Sequence, residues 1–279
     1  MDKMKLIFLL IPTLLLSQPD DEWKTIHGDR LYSVSGIAPF KEGYMVVHDN
    51  KKKNQPRVSY IDRELKIHPV VWPKAKLPYD LEAIVVIPGY DNRFMLMEST
   101  GICYELTIDP TTLWTDLLHS FSLPELKSNM NLEGLTIYPS GQGLVFIYGD
   151  RGSDRRKSTL FTAFFDSKKR LFYEVNQFTV DLPKPKKHKR NIADLAIKGD
   201  GSIWTAATSD PGNNGPFTTA IYELGEIDHA GTFTPIHPEL QKPIMVFGGQ
   251  KVEAMMFYKG YLVFMTDNEN FGATFKRMD

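Results

Sequence analysis

A short motif recurs five times along this chain, and that repetition limits the fold more than any other feature of the sequence. Four copies read Leu81-Glu-Ala-Ile-Val-Val, Leu132-Glu-Gly-Leu-Thr-Ile, Ile192-Ala-Asp-Leu-Ala-Ile and Val252-Glu-Ala-Met-Met-Phe. A weaker fifth is Val34-Ser-Gly-Ile-Ala-Pro. Each is followed by a glycine-containing turn and a second apolar strand: Tyr44-Met-Val-Val, Phe94-Met-Leu-Met, Leu144-Val-Phe-Ile, Ile203-Trp-Thr-Ala and Leu262-Val-Phe-Met. The copies open at Ser35, Glu82, Glu133, Ala193 and Glu253, giving periods of 47 to 60 residues. Repeats of about 40–50 residues, each a four-stranded meander, are the mark of a β-propeller. Such continuous apolar strands suit sheets covered on both faces.

The expectation is therefore an all-β, five-bladed propeller. A sixth blade is the alternative, if a degenerate copy hides in the longer stretch 134–252. The last copy runs out after Ala273-Thr-Phe-Lys-Arg-Met, one strand short. The segment Glu22-Trp-Lys-Thr-Ile-His has no blade of its own, so it is expected to close the ring as the outer strand of the last one. Composition agrees: 20 glycines and 18 prolines suit a turn-rich β chain better than a helical bundle. A single cysteine, Cys103, excludes an intramolecular disulfide and a multi-cysteine metal site, and its apolar strand makes it a buried filler.

Residues 1–17 read as a signal peptide: a basic start at Met1-Asp-Lys-Met-Lys, an apolar run from Leu6 to Leu16, then Ser17. That run spans about half a bilayer, too little for a transmembrane helix. Residues 18–279 are then one exported propeller domain, secreted or periplasmic, with no transmembrane segment after signal removal and with a monomer expected.

In an antiparallel hairpin the start of the first strand lies beside the end of the second. This pairs the openers with the closers as Ser35/Asp49, Glu82/Glu98, Glu133/Asp150, Asp194/Asp210 and Glu253/Asp267. All five pairs should ring the mouth of the central channel. Like charges so close need compensation by protons, cations or a bound metal. Oxygen donors without a thiol pair point to a hard divalent ion, calcium before magnesium, with Glu82, Glu133, Glu253, Asp49 and Asp267 as candidate ligands. The alternative is that the acidic residues cap strand ends.

Basic residues cluster in the loops of that same face, at Lys51-Lys-Lys53, at Arg151, Arg155, Arg156 and Lys157, and from Lys184 to Arg190. With 33 basic against 34 acidic side chains overall, both signs are sorted onto one side. An acidic well rimmed by Lys51, Arg151, Arg155, Arg156 and Arg190 suits a small anionic molecule such as a phosphate ester. Charged loops that are simply solvated are the competing reading, and nothing suggests base-specific nucleic-acid recognition. Candidate catalytic residues are Glu133, Asp150 and His48, the last also readable as a strand-end polar residue. No Gly-x-Ser-x-Gly elbow and no His-Glu-x-x-His motif occurs.

Leu132-Glu-Gly-Leu-Thr-Ile-Tyr-Pro with Leu144-Val-Phe-Ile-Tyr-Gly-Asp resembles blades of the SdiA-regulated and phytase-like (esterase-like) secreted propellers. The ending Val252-Glu-Ala-Met with Leu262-Val-Phe-Met-Thr-Asp-Asn-Glu-Asn-Phe-Gly is similar to the closing blade of the phytase-like group. The resemblance implies calcium on the channel face and hydrolysis of a phosphate or other ester. Calcium-dependent lactonases of the gluconolactonase type also carry an opening Glu-Gly and a strand-end Asp, matched here by Glu133 and Asp150. Ala193 and Ser35 depart from the pattern, standing where the opening glutamate would be. The competing class is a non-catalytic binding or scaffold propeller for an extracellular partner.

Overall fold

The computed structural model describes residues 22–279; the signal peptide read in residues 1–17 lies outside them. In chain order the strands are β1 (Lys24–His27), β2 (Gly36–Phe40), β3 (Gly43–Val47), β4 (Val58–Ile61), β5 (Ile67–Pro69), β6 (Leu81–Val86) and β7 (Arg93–Glu98). Next come β8 (Ile102–Ile108), β9 (Thr115–Ser122), β10 (Leu132–Ser140), β11 (Gly143–Asp150), β12 (Ser158–Asp166), β13 (Leu171–Val180) and β14 (Lys189–Ile197). The last are β15 (Ser202–Ser209), β16 (Thr218–Ile227), β17 (Phe233–Pro235), β18 (Met245–Gly248), β19 (Val252–Tyr258), β20 (Tyr261–Thr266) and β21 (Ala273–Met278). They form five antiparallel meanders, β2–β5, β6–β9, β10–β13, β14–β17 and β19–β21 completed by β1. The protein is a five-bladed β-propeller.

The inner strands β2, β6, β10, β14 and β19 each touch the next, and β19 touches β2, so the ring is closed. Glycine after the opener has a steric reason here. A Cβ on Gly36 would lie 2.8 Å from Ala83 Cα, and one on Gly134 would lie 2.9 Å from Leu195 N, both on the neighbouring inner strand. Five apolar clusters fill the five gaps between blades, such as the one joining Phe40 and Met45 to Phe94 and Leu96. Layering explains the pattern of hydrophobicity: middle strands such as β7 and β20 are buried almost throughout, whereas the outer strand β13 is exposed or half-buried at every residue before Val180.

No sixth blade hides between residues 134 and 252. The extra length lies in the long strands of the third blade and in a split outer strand of the fourth. There β17 pairs with the end of β16, the chain makes an excursion, and β18 returns to pair with its beginning. Ring closure follows the sequence reading, with β1 antiparallel to β21.

Candidate functional site

The glutamates that open the repeats are placed by bulges. Leu81 faces Glu98 and Ala83 faces Met97, which leaves Glu82 as an extra residue without a partner on the second strand. The same insertion occurs at Glu133, between the pairs Leu132/Asp150 and Gly134/Gly149, and at Glu253, between Val252/Thr266 and Ala254/Met265. A bulged residue leaves the ladder and re-aims its side chain. All three carboxylates are buried, yet they interact electrostatically with one another across blades, which puts them in the central channel.

This geometry corrects most of the expected acidic pairs. Glu98 accepts from Tyr79 N at 2.7 Å and from the Tyr104 hydroxyl at 2.7 Å, away from Glu82. Asp150 is fully enclosed, held by both guanidinium nitrogens of Arg156 and by Asn131 N at 2.9 Å, away from Glu133. Asp194 accepts from Met255 N at 2.6 Å, tying the fourth inner strand to the fifth, and does not meet Asp210. Ser35 spends its amide on the Val47 carbonyl. Glu253 and Asp267 do come together, because both reach the ammonium of Lys251, at 3.1 and 3.0 Å.

Protein cations, not neutral partners, hold the network. Arg190 binds Glu133 and Glu253 at 3.1 Å each and also Asp210. Arg151 reaches the same Glu133 Oε1 at 2.7 Å. Lys251, 1% exposed, lies 2.6 Å from Glu269 Oε1 and 3.7 Å from Asp210 as well. Burial works to lower the pKa of Arg190 and of Lys251, but the surrounding carboxylates outweigh it and push both up. Burial likewise works to raise Asp267, but Lys251 and the Glu269 amide hold it down at about 2. On the opposite side of the mouth Lys51 pairs with Asp80 at 2.8 Å.

Two carboxylates of the mouth, Glu82 and Asp49, have neither a cation nor a hydrogen-bond donor as partner among the described residues. Among the described residues Glu82 makes no hydrogen bond or ion pair, and burial together with Glu133, Asp80, Asp49 and Glu253 pushes its carboxyl well above the usual range. Asp49 is pushed up to about 6, by burial first and then by Asp267. Glu133 Oε2 is buried without a hydrogen-bond partner.

The candidate ligand set for calcium thus divides. Glu133, Glu253 and Asp267 already neutralise Arg190 and Lys251, so an ion bound by all five residues would have to displace these cations. Among the described residues no three His, Cys, Asp or Glu side chains are grouped to hold a metal. As a whole the expected donor set does not fit the ion.

His48 lies in the core, not at the mouth. It is 0% exposed, its Nδ1 donates to the Ser33 carbonyl at 2.6 Å and its Nε2 accepts from the Ser59 hydroxyl at 2.9 Å. With both nitrogens occupied it cannot reach a substrate. Burial lowers its pKa from 6.5 to about 4, so the unfolded chain takes up a proton first as pH falls. The stability of wild type relative to His48→Gln is therefore expected to drop by about 3 kcal/mol between pH 7 and pH 4 in urea titrations. A pH-independent difference would contradict this.

The basic residues also divide. Arg151, Arg155, His188, Lys189 and Arg190 line a recess of about 330 Å³ together with Asp154 and Asp210. Arg156 turns away into its pair with Asp150, and Lys51 stands apart with Asp80. Among the described residues the Arg155 guanidinium has no partner. Sequence reasoning missed Lys251 and Asp80, though both stand two residues before an opener. Ser33, Asp80, Asn131, Asn191 and Lys251 fill that position in the five copies, and every one is polar.

No family model and no curated protein matches this chain. Similar solved structures do exist. One described as a glycoside hydrolase is 11% identical with a TM-score of 0.52, covering 90% of this chain and 62% of its own. The likeness is one of fold. The Dos1 propeller is 12% identical with a TM-score of 0.40, covering 84% of this chain and 53% of its own. A protein from Lactobacillus plantarum is 10% identical with a TM-score of 0.44, covering 84% and 77%. The chain thus spans less than two thirds of the first two. Among the described residues no helix is long and apolar enough to cross a membrane.

Proposed function

We propose that this protein binds a small organic anion at the mouth of its channel and hydrolyses an ester of that anion. The observation that carries the reading is the recess where Arg151, Arg155, Lys189 and Arg190 gather around about 330 Å³. That volume is at the lower end for small-molecule sites. Guanidinium forks match carboxylate and phosphate oxygens, and Arg155 has its donors free. Asp154 opposes them weakly, since it accepts from the His188 and Lys189 amides at 3.0 and 2.7 Å.

Asp49, which lies at the channel mouth within electrostatic reach of Asp267 and Lys251 and not among the residues that line the recess, supplies the base in this reading for an ester that extends from the recess across the mouth. It is partly exposed, and a carboxyl near 6 titrates where a general base works best. It takes a proton from water as the water oxygen bonds to the ester's carbonyl carbon or phosphorus. The bond to the alcohol then breaks, and the alkoxide takes the proton back from Asp49. The arginines stabilise the negative charge that develops. Export, read from residues 1–17, would place this chemistry outside the cytoplasm.

The test is turnover of p-nitrophenyl phosphate and p-nitrophenyl acetate. Turnover is expected to rise through about pH 6, to fall about 100-fold in Asp49→Asn, and to show a roughly tenfold higher KM in Arg155→Ala. A non-catalytic binding role is the second reading, favoured by the locking of Glu133, Glu253, Asp210 and Asp267 into ion pairs. It predicts no turnover, with methyl phosphate binding that Arg155→Ala weakens. Absence of both turnover and binding would overturn the site itself.

A further inference from the structure

We propose that the channel contains a subsite for a primary ammonium group, built from Glu82 and the free oxygen of Glu133, and that the ligand is therefore a zwitterion. The zwitterion rests on the anion-binding reading above; the ammonium subsite stands without it.

The starting point is a charge imbalance that the protein does not resolve. Arg151, Arg190 and Lys251 occupy Glu133 Oε1, Glu253, Asp210, Asp267 and Glu269, and Lys51 occupies Asp80. Glu82 is left over, 9% exposed and without a hydrogen bond or ion pair among the described residues. Its acidic neighbours are Glu133, Asp80, Asp49 and Glu253, residues of four blades, and Lys51 and Arg190 act on it from a distance without forming an ion pair, so its carboxyl lies in the channel. Glu133, whose Oε2 is buried and unpaired, sits on the neighbouring inner strand, which touches that of Glu82. A buried carboxylate without a partner is strongly disfavoured and has to hold a proton or meet a cation.

The choice of cation follows from coordination. Calcium asks for six to eight oxygens converging at about 2.3–2.6 Å, and among the described residues no three acidic or imidazole groups are gathered in that way. A quaternary ammonium is recognised by aromatic faces, whereas the groups identified around Glu82 are carboxylates and cations. A primary ammonium has three separate N–H donors. It can be satisfied by two carboxylate oxygens and a water, fewer oxygens than a calcium ion requires. Arg190, which touches both Glu133 and the recess, lies between the two ends of such a ligand.

Calorimetry and thermal shift on the full chain test this with phosphoethanolamine, methyl phosphate, phosphocholine, ethylamine and calcium chloride. Phosphoethanolamine is expected to bind at least tenfold more tightly than methyl phosphate or phosphocholine. Glu82→Gln, which removes a like charge and keeps the shape, should erase that advantage while leaving methyl phosphate binding intact. If neither phosphate binds but ethylamine stabilises the wild type and not Glu82→Gln, the subsite holds and the anion reading fails. Equal affinity for phosphoethanolamine and methyl phosphate would overturn the subsite. So would calcium stabilisation that depends on Glu82 when ethylamine has no effect.

Discussion

Replacing Lys251 by methionine is expected to destabilise the protein by about 3–5 kcal/mol, because it strips a buried ion cluster of its central charge. Four carboxylates meet its ammonium: Glu269, Asp267 and Glu253 within 3.1 Å, and Asp210 at 3.7 Å. Arg190 still reaches Glu253 and Asp210, and Arg30 still reaches Glu269 at 2.6 Å. Asp267 alone would be left buried without a cation. For a domain of this size the loss corresponds to a fall in Tm of roughly 10 °C. The pH dependence gives a second readout. Asp267 is held at about 2, below its ordinary 3.8, so its stabilisation is full above pH 4 and disappears as pH falls toward 2. Without Lys251 that depression is lost, and the gap between variant and wild type should narrow over the same range. Thermal melts from pH 7 to pH 2 check both points. An unchanged Tm at pH 7 would mean that the desolvation cost of Lys251 cancels all that its ion pairs contribute.

The residues that carry this cluster show what could be read in advance. Blade number, blade order and ring closure follow from the apolar repeats, because burial between neighbouring blades imposes the same pattern on each copy. The openers could be placed in the channel for the same reason. Their partners could not. A bulge of one residue turns Glu82, Glu133 and Glu253 out of the ladder, and nothing in the composition of Leu-Glu-Ala or Leu-Glu-Gly signals that insertion. Glu98 and Asp150 consequently serve their own loops. Compensation by cations was one of the open possibilities, yet Lys251 escaped notice because it lies outside the basic runs. Aligning the position two before each opener would have singled it out as a lysine in a row otherwise filled by Ser, Asp and Asn. For His48, strand-end position does not reveal whether a side chain faces the mouth or the gap between blades.

Deleting the chain through Gly28 is expected to remove most of the stability of the fold, although the strand lost has just four residues. Lys24, Thr25 and His27 pair with Phe275, Thr274 and Ala273, which joins the first part of the described chain to the last in one sheet. Trp23 packs edge-on against Phe247 at 5.2 Å, and Ile26 packs onto the cluster between the fifth and first blades. Both side chains are partly buried, so covering them contributes about 1–2 kcal/mol each, before the strand's hydrogen bonds are counted. The fit is close: a Cβ on Gly272, whose φ is 75°, would come within 2.0 Å of the His27 carbonyl oxygen. Without β1 the last blade has three strands, and β21 exposes its edge to any other chain. In a protein whose total stability is on the order of 5–15 kcal/mol, this should leave aggregated or unfolded material. Gel filtration and circular dichroism of the truncated chain test it. A peptide spanning residues 22–28 added in trans should recover some of the folded fraction, since it can re-form the missing strand. A truncated monomer melting within a few degrees of the full chain would show that the ring is held by its blade-to-blade packing alone.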